Sequence, residues 1–108
     1  MAWLYLVLAG MMEWGWPMGL KFAWTDHGVR PGPAILAVIS ILASGFFLLL
    51  AQRTIPIGTA YAVWTGIGAV GTFMLGILLL DEPATLGRFV FAGCIVIGII
   101  GLKLVTEG

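Results

Sequence analysis

A chain of 108 residues that is 61% hydrophobic and only 9% charged cannot wet its own surface, since a soluble domain carries roughly 25% charged residues. With a mean hydropathy of +1.12, it reads as an integral membrane protein. Five basic and five acidic residues cancel to zero net charge without a basic cluster, which sets nucleic acid aside as a partner.

Three polar or proline-marked breaks, Thr25–Gly32, Gln52–Pro56 and Asp81–Thr85, divide the chain into four apolar pieces near 3–23, 33–51, 57–80 and 86–105. Each is ~20 residues, about 30 Å as a helix, the thickness of the hydrocarbon layer. The runs are continuous and lack the period-two alternation of a barrel strand, so helices are expected. The predicted fold is an all-α membrane protein, one domain over 1–108 with four transmembrane helices.

The first piece carries Met11-Met12-Glu13-Trp14-Gly15-Trp16-Pro17. Glu13 falls near mid-depth, where an ionised side chain is costly and marks a functional site by default. A cleaved signal peptide is not expected, because the first ten residues hold no Lys or Arg and Glu13 interrupts the apolar run. Trp16 lies one turn above the carboxylate. Trp3 and Trp24, near the segment ends, suit the role of interfacial anchors; Trp16 does not. Pro17 removes a backbone donor and is predicted to bend the helix just past the site.

In the second piece Ser40 and Ser44 share a face. The ordinary role of such serines is a bond to their own helix or a contact between helices. Phe46 and Phe47 read as lipid-facing or packing residues. The loop residue His27 has no Cys or acid at metal-ligand spacing. No Gly-rich phosphate cradle and no nucleophile–base pair is present, so neither an enzyme, a metal nor a cofactor is expected.

The third piece, Pro56 to Gly71, combines small residues with Tyr61 and Trp64. Its glycines suit close helix contact and a bend near Gly66–Gly68. They do not account for a tyrosine hydroxyl and an indole donor at membrane depth, which need partners when buried. A carboxylate is the obvious one. In the fourth piece Gly93, Gly98 and Gly101 form a small-residue seam, read as a dimer contact. Cys94, without a disulfide partner, reads as a small buried hydrophobe, and Lys103 as a cation reaching the interface. Asp81 and Glu82 are expected to be solvated. Basic residues divide three to two, with Lys21, Arg30 and Arg88 on one side and Arg53 and Lys103 on the other. So even a split gives the positive-inside rule little to act on and allows insertion both ways, as an antiparallel homodimer of eight helices.

Over nearly its whole length the chain resembles the small multidrug resistance transporters, and within them the guanidinium-exporter branch. The residues that carry the resemblance are Glu13 with Trp16, Gly19-Leu20-Lys21, Pro56 to Gly71, Glu82-Pro83 and Gly98 to Lys103. The resemblance implies a dual-topology, antiparallel homodimer in the inner membrane that exchanges protons for a small organic cation. It implies Glu13 as the shared proton and substrate site, surrounded by Trp16, Ser44, Tyr61 and Trp64, with the fourth helix as the main dimer contact. On this basis the expected function is proton-coupled export of guanidinium and of small substituted guanidines such as guanylurea or biguanides. Broad export of quaternary ammonium compounds is the alternative, and a non-transporting membrane assembly subunit ranks third. The chain departs from the branch in two places. Trp14-Gly15-Trp16-Pro17 stands where small or branched apolar residues usually flank the tryptophan, and the loop from Trp24 to Gly32 is slightly long.

Overall fold

The computed structural model describes residues 1–106. Its elements are α1 (Ala2–Met12), α2 (Gly15–Ala23), β1 (Trp24–Thr25), β2 (Gly28–Val29), α3 (Pro31–Ala51), α4 (Ile57–Leu80) and α5 (Leu86–Thr106). By length and composition α3, α4 and α5 can each cross a membrane.

The first apolar piece is not the single helix expected over 3–23. It breaks at Glu13 and Trp14 into α1 and α2, so the break falls at the carboxylate itself and not beyond it. The cause is Pro17. In an unbroken helix its nitrogen would bond the Glu13 carbonyl, but proline has no N–H and its ring clashes with that carbonyl. In the first turn of α2 the missing donor costs nothing, because the leading N–H groups of a helix have no intrahelical acceptor. The chain closes α1 instead with tight bonds from Glu13 N–H to the Ala9 and Gly10 carbonyls and from Trp14 N–H to the Met11 carbonyl.

The segment expected as an irregular loop contains a miniature hairpin, with Trp24 opposite Val29 and Thr25 opposite Gly28. Thr25 Oγ1 donates to the Gly28 carbonyl at 2.6 Å and accepts from His27 N–H at 3.3 Å. Gly28 takes φ +112°, a conformation open to glycine and strained for a side chain. Pro31 then starts α3 at a position that suits its fixed φ. At the other end, α4 stops where Asp81 turns left-handed (φ 53°) and the N–H of Glu82 bonds back to the Gly76 carbonyl. Asp81 and Glu82 are exposed, as is His27.

The broken first segment lies against α3 along its whole length and against α4 through α1, while α5 packs on α4. Leu6, Ala51, Ile55, Ala60 and Val63 form the buried core, with Trp3, Tyr5, Leu48 and Trp64 against it. Small residues let the backbones approach. Gly15 faces Ser40 and Gly19 faces Ala37 and the Pro33 carbonyl, so that any Cβ at either glycine would collide. Ser40 is thus a contact between α2 and α3. Phe46 is exposed and Phe47 stacks on Tyr5 with ring centroids 6.3 Å apart.

No residue of α5 is buried. Its contact with α4 includes Phe89 edge-on to Phe73, with the Arg88 guanidinium over the Phe73 ring. Lys103 lies over Trp3 at the helix end. Cys94 is exposed, contrary to the buried position expected from its apolar run. In a membrane an apolar run does not mark a buried face, because lipid accepts the same side chains. The extents of the chain are 52 × 34 × 17 Å. The shortest is about one and a half times the roughly 10–12 Å width of one helix, so one chain is a slab.

Candidate functional site

The helix break falls at Glu13, and three side chains from three elements organise its surroundings. Trp16, in the first turn of α2, donates its indole N–H to Glu13 Oε1 at 3.0 Å. Ser44 of α3 approaches the same oxygen at 3.1 Å. Trp64 of α4 donates its indole N–H to Ser44 Oγ at 2.8 Å. Ser44 is fully buried, whereas Glu13, Trp16 and Trp64 are half-buried. The Glu13 stem lies on Gly68, where an added Cβ would come within 2.9 Å of Glu13 Cβ. That close approach needs a glycine.

Ser44 has a second acceptor in range, the Ala9 carbonyl at 2.8 Å. A hydroxyl has one hydrogen to donate, so Ser44 serves either the Ala9 carbonyl or Glu13 at a given moment. Trp64 bonds its oxygen in both cases. Ser44 therefore reaches across to α1 instead of turning back on its own helix, as intramembrane serines commonly do. Among the described residues no hydrogen bond reaches Glu13 Oε2. One carboxylate oxygen is held by the protein and the other is available.

Of the five residues singled out from the sequence for this site, four meet in one network. Tyr61 stands apart. It is 59% exposed, with its ring 5.3 Å from Trp64 and tilted by 51°. Its hydroxyl has no bond to Glu13 within one chain. Gly93, Gly98 and Gly101 likewise face nothing within 4 Å of an added Cβ. Two cavities among the described residues lie away from the carboxylate. One of about 670 Å³ lies at the Met1 and Arg53 end, and an apolar one of about 420 Å³ lies beside Trp14 between α4 and α5.

Two partners were not legible beforehand. The Ala9 carbonyl leaves no side-chain signature. Trp14 donates its indole N–H to the Ile67 carbonyl at 3.0 Å and rests its ring on Gly71. The only sequence signal was a bulky ring beside the acid and a glycine three residues after Gly68.

A family model described as Small Multidrug Resistance protein matches residues 1–97. A guanidinium exporter of Yersinia pseudotuberculosis serotype I is 52% identical over 107 residues, covering 98% of this chain and all of the relative. One from Citrobacter freundii is 50% identical over 108 residues, with 99% and 100% covered. A third, from Salmonella typhimurium strain LT2, is 49% identical over 105 residues, with 96% and 97% covered. Matched end to end by such relatives, and with a carboxylate set among apolar helices, this multi-pass membrane chain belongs to the small multidrug resistance protein family.

Proposed function

We propose that the chain is a secondary active transporter that exports guanidinium, and small substituted guanidines, across the inner membrane in exchange for protons. The observation that carries this is the half-held carboxylate, with Glu13 Oε1 between Trp16 and Ser44 and Oε2 without a protein donor. A guanidinium ion presents a planar fork of N–H groups that fits two carboxylate oxygens at once. For the fork to reach Oε1 as well, one donor there must give way. The Ala9 carbonyl supplies the alternative, since Ser44 can turn its hydrogen to it without losing the Trp64 bond. Trp16 and Trp64 add aromatic faces for cation–π attraction, which strengthens as water leaves.

A proton and the cation compete for the same oxygens. Either one neutralises Glu13, so a loaded site crosses the apolar interior at lower cost than an empty, charged one. That difference couples export to proton entry. The slab shape supports an antiparallel homodimer, whose second copy covers the Glu13 side and brings Tyr61 against the site. Two oppositely inserted copies also make the inward- and outward-facing states equivalent, as inverted repeats do.

Proteoliposomes containing the purified chain test this. Guanidinium is expected to produce a proton-coupled current and tetraalkylammonium none. Current with bulky ammonium alone assigns the chain to the broad-specificity cation exporters, and silence toward both favours an assembly subunit.

A further inference from the structure

Between α1 and α2 the N–H groups of Glu13 and Trp14 still bond to carbonyls of α1, but Pro17 supplies no N–H to the Glu13 carbonyl, so no intrahelical bond from Pro17 ties this turn to α2. Something else must hold the carboxylate in register with Trp16 and Ser44. The two residues of the break dock on α4 one turn apart, Glu13 on Gly68 and Trp14 on Gly71. Of the two, only Trp14 is tied down by its own bond to α4, from Nε1 to the Ile67 carbonyl at 3.0 Å. We propose that Trp14 is a positioning residue for Glu13, seated in a socket that exists because residue 71 is glycine. The inference rests on Glu13 being the binding carboxylate.

Distances decide how tight the device is. A Cβ at position 71 would stand 1.9 Å from Cε2 and Nε1 of the Trp14 ring. Ordinary contact needs about 3.5 Å, so the ring must retreat by roughly 1.5 Å. The bonds from Trp16 and Ser44 to Glu13 measure 3.0 and 3.1 Å and fail beyond about 3.5 Å. The displacement is about three times the slack. Trp14 and Glu13 are consecutive, so a shift of the ring carries the carboxylate with it.

The test is a cycle of Gly71→Ala, Trp14→Val and the double variant, with Trp14→Phe beside them. Two readouts are taken in the full-length reconstituted protein: guanidinium transport, and the indole N–H resonance of Trp16, assigned by its loss in Trp16→Phe. Gly71→Ala is expected to lower kcat/KM by about 10²-fold, the order seen when a site is misplaced by an ångström, and to shift the Trp16 resonance. Trp14→Val/Gly71→Ala is expected to recover most of both, because the ring that collided is gone. Trp14→Phe keeps a ring but loses the bond to Ile67, and should raise KM about threefold, the scale of one neutral hydrogen bond. The proposal is overturned if Gly71→Ala behaves as wild type or if the double variant is no better than Gly71→Ala. Should Gly71→Ala fail to fold, wild-type KM and an unmoved Trp16 resonance in both Trp14 variants overturn it equally. A wild type that moves no guanidinium, with the resonance pattern intact, sinks the transport reading and leaves the positioning role standing.

Discussion

Helices α4 and α5 have similar apolar sequences and a similar supply of glycine, yet most of the glycines of α4 meet a fate opposite to those of α5. In α4, Gly58 in the first turn meets nothing, but Gly66 is filled by Ile95 and Ile99, Gly68 by Glu13, Gly71 by Trp14 and Gly76 by Glu82. In α5, Gly87, Gly93, Gly98 and Gly101 meet nothing. The first helix spends most of its glycines within the chain, and the Glu13 carboxylate is among what they admit. The second presents its small residues on a surface where no residue is buried. Small-residue spacing thus reports that a close approach is possible and leaves open which element makes it.

The sharpest way to break this contrast is at the carboxylate. Glu13→Gln keeps the shape and the Gly68 contact but removes the charge. Guanidinium flux in proteoliposomes should fall by about 10²-fold or more, the scale of losing an oriented charge partner, while the protein still elutes as the wild type does. Next comes Ser44→Ala, which leaves the half-buried Trp64 N–H without its acceptor. A cost of about 1–3 kcal/mol is expected, measurable as weaker guanidinium binding by calorimetry; unchanged affinity would remove Ser44 from the site. The smallest effect is expected on α5. Gly98→Leu has room in one chain, so helicity by circular dichroism should not change. If a second copy packs there, cross-linked dimer in detergent should drop by about three- to tenfold, as for a helix contact of about 1 kcal/mol. An unaltered dimer fraction would mean that α5 faces lipid.

Part of the candidate site was legible because of cost. A carboxylate in an apolar segment needs partners, which pointed to Trp16 and Trp64, whereas Ser44 was marked only by the family resemblance. Tyr61 answered the same argument but is exposed, with its ring beside Trp64 and no bond to Glu13. Cys94 was misjudged because apolar neighbours imply burial only where water is the solvent. The break at Glu13 was foreseen as a bend beyond it, the error being to place the effect of Pro17 at its own position and not at the carbonyl four residues earlier.

By itself the sequence determined the membrane class, the apolar segments and the acid among aromatic rings, because hydropathy and the cost of a buried charge act locally and need no coordinates. Only the tertiary structure decided which oxygen of Glu13 is held, that Ser44 has the Ala9 carbonyl as its other acceptor, and that Trp14 sits on Gly71. These depend on distances between helices, which are set by how side chains interlock across α1, α3 and α4. In a solvent as apolar as the chain, no hydrophobic pattern encodes which face is turned inward.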